Sequence, residues 1–304
     1  MNCPLCKSEN LTLIETVPTT KLVEEWRASY KMEIADEFAG HQLLQCHHCQ
    51  NCDLQFFDPA LAGSDKLYAE LENYDWYYPH RKWEHDVALR ELRAGDRVLE
   101  VGSGRGDFVA RAMSEKGVEI IGLELNQKAI AAAQAMGRPV YRRSVEDLRA
   151  ESANSFDVVC SFQVLEHIPE PEPFIATCLD LLKPGGRLLI SVPDNDGFLR
   201  HFHDDLLNKP PHHVSHWTRR VFKYLPSRFP VEFVEARYEP LAEYHLDLYV
   251  DTQLKRLPRV KFLSGFAYRV SQKIISPLLR RTGLYRSLRG HTIYVSYRKL
   301  GGNP

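Results

Sequence analysis

Between residues 97 and 192 the chain alternates short apolar runs with helical periods, a pattern that few folds accommodate. RVLEV (97–101), VEIIGLE (118–124), a run near 139–142, FDVVCSF (156–162) and GRLLISV (186–192) read as strands. These runs are almost continuously apolar, as strands buried on both faces are. Helical periods at about 107–116, 126–136 and 173–182 separate them. Parallel strands joined by helices through right-handed crossovers give a doubly wound α/β sheet. Farther on, VEFVEARY (231–238) reads as a further strand and HTIYVSY (291–297) as a strand that closes the sheet edge. Residues 241–290 read as weakly amphipathic helix.

The N-terminal part follows other rules. Residues 1–60 hold five of the seven cysteines and one helical stretch, roughly 21–38. Residues 64–93 read as two helices, the first capped by Ser64 or Asp65, the second opened by Pro79 and ending near Gly95. The expected organisation is therefore a small module over 1–60, a helical linker over 61–95 and an α/β domain over 96–304 with a basic helical insertion at about 241–290. A hydrophobic content of 44% with 26% charged residues excludes a disordered chain. No apolar run reaches the roughly 20 residues that span a bilayer. MNCPLCKSEN carries no basic, then apolar, leader pattern, so the expected location is cytoplasmic.

The strongest chemical signal is Gly102-Ser103-Gly104-Arg105-Gly106, which follows a strand and opens a helix. Glycines there permit a tight turn and close approach of a ligand to the backbone, beside the free N–H groups of a helix start. A dinucleotide fingerprint needs a glycine where Asp107 stands, so a pyrophosphate ligand fits less well. A ligand carrying a carboxylate and a ribose fits better. Glu124, ending the next strand, can accept both ribose hydroxyls, although dinucleotide enzymes place an acid similarly. Glu100, just before the glycines, would repel a phosphate and suit an ammonium group.

VLEVGSGRGDF, GLELN, FDVVCSFQVLEHI and LLKPGGRLLISVPD, in that order, resemble the successive motifs of the class I S-adenosylmethionine-dependent methyltransferases over roughly residues 80–300. The resemblance implies a Rossmann-like, mostly parallel seven-stranded sheet. It implies that Gly102, Ser103, Gly104 and Gly106 wrap the methionine end of the cofactor with Glu100 nearby, and that Glu124, followed by Leu125, holds the ribose. Phe162 and Gln163 would line the sulfonium side. Where the family often has Gly-Asp facing the adenine, this chain has Arg143-Ser144, so adenine contact passes to Ser144 and Val145. Glu146 or Asp147 either supplies the missing acid or is a solvated loop charge.

Cys3-x-x-Cys6 and a second pair suffice for a tetrahedral zinc. The second pair is Cys46–Cys49 or Cys49–Cys52. The segment from Cys49 through Cys52, Leu54, Phe56 and Pro59 resembles the second knuckle of the N-terminal zinc ribbon found in some of these methyltransferases, which implies Cys3, Cys6, Cys49 and Cys52 as ligands of a structural zinc. Asp53 replaces the usual glycine of that knuckle. Cys46, His47 and His48 are then extra donors, replacing a ligand or forming a partial second site. The alternative is reduced cysteines in a small core. The module's few basic residues disfavour nucleic acid as a partner.

Methyl transfer to a hydroxyl needs a positioned nucleophile and a proton acceptor, for which histidine is suited. Two segments supply histidines at the end of the sheet where ligands bind. His167 follows the fourth strand and serves either packing or catalysis. PPHHVSHWT (210–218) offers His212 and His213 as base or acceptor contact, or as surface residues, with Thr218 as a helix cap.

A net charge of −1 conceals a polarity: Thr252–Pro304 holds twelve Lys/Arg and no Asp or Glu. Ten of those charges lie in 255–289 among Phe262, Phe266 and Tyr268. The segment is either a cap on the α/β domain or a surface for an anionic membrane or acceptor; RNA is a further alternative. Together these features lead to an expected activity: methyl transfer from S-adenosylmethionine to a small-molecule, sugar or lipid-linked acceptor, on oxygen. The alternative is a non-catalytic scaffold that binds a partner through the ribbon and the basic segment.

Overall fold

A computed structural model describes residues 1–74, 77, 81–202, 205–256 and 271–301. In the N-terminal module β1 (Leu11–Pro18), β2 (Leu43–Cys49) and β3 (Gln55–Asp58) form an antiparallel sheet. Helix α1 (Thr19–Tyr30) connects the first two strands. It stops earlier than the pattern to residue 38 suggested, because Lys31 turns left-handed at φ 58° and its N–H closes the end on the Arg27 carbonyl. Leu22 and Trp26 of α1 pack with Phe38, Leu44 and Phe57 as one small core. A fourth strand, β9 (Ser215–His216), pairs with β3 and comes from the far half of the chain.

Helices α2 (Asp65–Leu71) and α3 (Trp83–Glu91) follow. The Ser64 hydroxyl caps α2 by accepting from the Leu67 N–H. Helix α3 ends at Glu91, short of Gly95, where Leu92 becomes extended at ψ 141°. Pro79 lies outside the described residues.

The main sheet is built from β4 (Arg97–Val101), β5 (Glu119–Glu124), β6 (Val140–Arg142), β7 (Phe156–Phe162) and β8 (Leu182–Pro193), all parallel. Helices α4 (Asp107–Lys116), α5 (Gln127–Ala135), α6 (Val145–Ser152) and α7 (Pro171–Leu181) connect them. Helix α8 (Arg219–Tyr224), capped by Thr218 as expected, leads towards β10 (Val231–Pro240); β11 (Arg289–Lys299) ends the sheet's chain path. The order is β10-β11-β8-β7-β4-β5-β6, with β10 and β11 antiparallel to their neighbours. This is the Rossmann-like methyltransferase sheet that the motifs implied. One expectation needs correction: HTIYVSY does not close the edge. Strand β11 sits between β8 and β10 and is buried on both faces, with Ile293, Val295 and Tyr297 on one side and Thr292, Tyr294 and Ser296 on the other. Strand β10, with Glu232 exposed and most other residues only half-buried, forms the edge, where one face meets water.

Alternate residues of each strand feed two cores. Leu99, Val159 and Ile190 pack on one face and Val98, Val158 and Leu189 on the other. The first core is continuous with Cys3, Leu5, Cys49 and Phe56, so the N-terminal module shares apolar packing with the main sheet. Strand β4 has β5 on one side and β7 on the other, which places the topological switch point at their carboxyl ends. Of the basic stretch, α9 (Leu246–Lys255) and α10 (Ser276–Thr282) are described; Phe262, Phe266 and Tyr268 lie outside the described residues. There Arg280 pairs with Asp247 at 2.6 Å and Arg289 with the buried Asp194 at 2.7 Å. Among the described residues no helix is long and apolar enough to cross a membrane.

Candidate active site

A cavity of about 1430 Å³ opens at the switch point. One wall descends from the turn after β4. Gly102 takes φ 74°, and a Cβ there would lie 2.3 Å from Val164 Cγ2, so only glycine fits. The Gly102 and Ser103 N–H groups both donate to the Leu123 carbonyl, at 2.8 and 2.9 Å, which ties the turn to β5. At the end of β5 the Glu124 carboxylate accepts three backbone N–H groups: Gly104 at 2.8 Å, Leu125 at 2.7 Å and Asn126 at 2.9 Å. The carboxylate is thereby held between the glycine turn and the start of α5.

Gly102, Glu124 and Leu125 line this wall, and Ser144, Val145, Phe162 and Gln163 line it beside them. Ser103, Gly104 and Gly106 do not face the cavity; Gly106, at φ 70°, caps α4. Glu100 is buried within β4 and does not line the cavity either. Its Oε2 has no hydrogen-bond partner among the described residues, and burial pushes its carboxyl well above the usual range. Gln163 is a non-glycine residue at φ 58°, a local strain at the cavity floor, and its side chain donates to Glu84 at 3.2 Å.

The acidic pair near the adenine position separates. Asp147 accepts from the Ser144 N–H at 3.1 Å while the Ser144 hydroxyl accepts from the Asp147 N–H at 3.1 Å, a capping box that starts α6. Glu146 and Arg143 line the cavity instead.

The opposite wall holds the histidines. His212 and His213 follow a turn in which both their N–H groups donate to the Lys209 carbonyl. The next residue, Val214, donates to the Glu166 carbonyl at 2.9 Å and accepts from the Phe57 N–H at 2.9 Å. The histidine loop is thus strung between the turn after β7 and the sheet of the N-terminal module. This brings His167 to His212 and His213, with ring centroids 4.5 to 4.9 Å apart. Burial holds all three imidazoles neutral: His167 falls to about 4, and His212 and His213 fall well below the usual histidine value. Glu166 is 1% exposed, and burial pushes it up to about 8.

Tyr68, Tyr77, Glu239, His245 and His291 also line the cavity and were not singled out from the sequence. The aromatic run NYDWYYP (73–79) was a usable signal for Tyr77; nothing local marks His291, which sits on an otherwise ordinary strand.

The four cysteines of the implied ribbon converge on one point. Cys3 and Cys52 Sγ atoms lie 3.6 Å apart, Cys6 and Cys49 3.5 Å, and all four fall within 4.8 Å of one another. Their two knuckles repeat the same bonds. Lys7 N–H donates to Cys3 and Asp53 N–H to Cys49, both at 2.9 Å, with φ 61° and 72° at the donors. Asp53 therefore keeps the left-handed turn of the glycine it replaces, and its carboxylate accepts from the Thr218 hydroxyl at 2.8 Å. The spacing and the soft donor set fit zinc, whose bonds to sulfur are about 2.3 Å in tetrahedral sites. Cys46 lies apart in the core around Trp26, where burial pushes its thiol up to about 12. His48 is bonded to Asp53 at 3.1 Å.

The methyltransferase-domain family matches residues 74–257. A ubiquinone biosynthesis O-methyltransferase of Chromobacterium violaceum is 39% identical over 135 residues, which cover 37% of this chain and 58% of that protein. One of Xanthomonas axonopodis pv. citri is 41% identical over 112 residues, 35% of this chain and 46% of the relative. The chain spans about half the length of the curated relatives it matches. A chain from the complex of the Haloferax volcanii Trm112 methyltransferase activator with a methyltransferase shares the fold, with TM-score 0.53 and 16% identity over 78% of this chain and 97% of that one.

Proposed function

The chain belongs to the S-adenosylmethionine-dependent methyltransferases, and on that premise we propose that it methylates an oxygen of a small-molecule acceptor of the sugar or lipid-linked class. The observation that carries this reading is one continuous cavity running from the glycine turn and Glu124 to three buried histidines. The names of the curated relatives, O-methyltransferases of ubiquinone biosynthesis, support oxygen as the acceptor atom and a lipid-linked molecule as its bearer. The scaffold alternative gives way to membership of an enzyme family.

Bound S-adenosylmethionine would supply a methyl group on a positively charged sulfur, open to in-line attack. In our reading Glu124 contacts the ribose, with Leu125 beside it. Of the glycine turn, Gly102 would meet the methionine end directly, while Ser103, Gly104 and Gly106 shape the turn behind it and Glu100 lies buried beneath. Ser144 and Val145 would face the adenine, and Phe162 and Gln163 would line the sulfonium side. His167, His212 and His213 would contact the acceptor hydroxyl and orient it for attack. With the cofactor bound, its methyl group would pass to the acceptor oxygen, the C–S electron pair staying on sulfur, and the hydroxyl hydrogen would leave as a proton at the histidine end.

We assign a structural zinc to Cys3, Cys6, Cys49 and Cys52, and retain the division into 1–60, 61–95 and 96–304. Its consequence for function is positional, since β3 of the ribbon pairs with β9 directly after the histidine loop. Incubation with S-adenosylmethionine and lipid-linked, sugar or phenolic hydroxyl acceptors tests the reading by release of S-adenosylhomocysteine. Calorimetry of cofactor binding completes it: absence of binding refutes the assignment of the cavity.

A further inference from the structure

We propose that His167, His212 and His213 form a second metal centre, distinct from the four-thiolate cluster, which takes a divalent transition ion of zinc's class at the acceptor end of the cavity. The inference rests on reading that cavity as the site of methyl transfer. One ring nitrogen from each histidine lies within 4.8 Å of the others.

The hydrogen bonds decide which nitrogen is offered. His167 Nδ1 lies 2.5 Å from the carbonyl of His212, and His212 Nδ1 lies 2.9 Å from the carbonyl of Leu207. A carbonyl oxygen only accepts, so both Nδ1 atoms carry the hydrogen. His213 Nδ1 lies 3.1 Å from Asn208 Oδ1, whose amide nitrogen donates to Asn195 at 2.7 Å, so His213 is in the same tautomer. All three Nε2 atoms therefore present lone pairs. Ligating histidines have this arrangement, with the outer N–H held by an oxygen so that ring and tautomer are set before the ion arrives.

Three neutral imidazoles crowd together where the histidines line the cavity. Tyr77 Oη is 3.1 Å from His212 Nε2, whereas the hydrogen bonds of His167 and His213 go through Nδ1. An acidic side chain stands beside them: Glu166 Oε1 is 4.0 Å from His167 Nε2, and its buried Oε2 has no hydrogen-bond partner among the described residues. An ion held between the three rings would take up lone pairs that the tautomers leave free and would sit beside the Glu166 carboxyl group.

Imidazole nitrogens favour zinc, copper, iron or nickel over magnesium or calcium. Three protein ligands leave coordination positions open, as in catalytic rather than structural sites. Here the open side is the cavity, so an acceptor oxygen would meet the histidines through the ion and lose its proton to water rather than to a ring nitrogen.

The test uses the full chain, stripped with a chelator, reloaded with Zn²⁺ or Co²⁺, dialysed and counted by plasma mass spectrometry. The expected content is two equivalents in the wild type and one in His213→Ala and in Cys49→Ser. Cobalt separates the sites: thiolates give intense near-ultraviolet charge transfer, whereas the histidine site gives only weak visible bands. Those bands should persist in Cys49→Ser and vanish in His213→Ala. Should His213→Ala not fold, His167→Gln repeats the count, and the wild-type cobalt spectrum needs no variant. A wild-type spectrum of thiolate type alone, or metal content unchanged by both histidine substitutions, overturns the proposal. Two equivalents without S-adenosylhomocysteine release from any oxygen acceptor would refute the function above and leave the metal centre standing. Turnover with only the thiolate equivalent would do the reverse.

Discussion

Replacing Glu124 by alanine removes the carboxylate through which the cofactor's ribose is proposed to be held, and the structure limits how much that should cost. A carboxylate offers about four lone-pair sites. Three are already used by the N–H groups of Gly104, Leu125 and Asn126. Room therefore remains for one ribose hydroxyl, not two, unless the Gly104 bond is exchanged. One hydrogen bond to a charged group contributes about 1.5–3 kcal/mol. At about 1.4 kcal/mol per tenfold, Glu124→Ala should raise the Kd for S-adenosylmethionine by roughly 10- to 150-fold. Glu124→Gln, which keeps one carbonyl oxygen, should fall below that range. Isothermal calorimetry measures both, with far-ultraviolet circular dichroism as the control for folding, since the substitution also orphans three backbone donors. A Kd within threefold of wild type in a folded Glu124→Ala protein would refute the ribose assignment. A loss above a thousandfold would instead mean that both hydroxyls are bound and that the glycine turn rearranges to admit them.

Two further outcomes follow from the geometry. Cys49→Ser should loosen the ribbon, so that amide hydrogen exchange rises at Ser215 and His216 of β9 while β4 and β5 stay protected; equal protection at β9 would show that the ribbon does not position the histidine loop. Burial pushes Glu239 up to about 7. The folded state then keeps a proton that the unfolded chain releases near pH 4.5, so its contribution to stability falls as pH rises through that window. Glu239→Gln should be close to neutral at pH 5 and stabilising at pH 8 by on the order of 2–3 kcal/mol in urea unfolding; a pH-independent difference would refute this.

Much of the site was legible before any coordinates. The glycine turn could be read because a strand end, a left-handed turn and a helix start are adjacent in the chain, and Gly102 and Gly106 indeed take positive φ. The strand identities held because apolar runs of that length leave little choice. Their places in the sheet were harder. Strand β11 was expected at the edge, yet it lies second with both faces buried, a matter of which neighbour covers it rather than of local pattern. Asp147 and Glu146 are adjacent in sequence and equal in charge, but one closes a helix start while the other faces the cavity, a distinction made only by side-chain geometry.

The sequence by itself determined the doubly wound architecture, the glycine turn with Glu124, and the first thiolate knuckle, because each depends on periodicity or on spacings of a few residues; for the second knuckle spacing left two pairs open, and resemblance to a zinc ribbon chose Cys49 and Cys52. Only the tertiary structure decided what the histidines are. His167 and His212 lie 45 positions apart and meet because Val214 is bonded both to the turn after β7 and to the ribbon strand β3. Burial then makes these side chains neutral, and the carbonyls around them choose the tautomer. A histidine's sequence neighbours carry no information on either point, since desolvation and hydrogen-bond partners are properties of the packed chain.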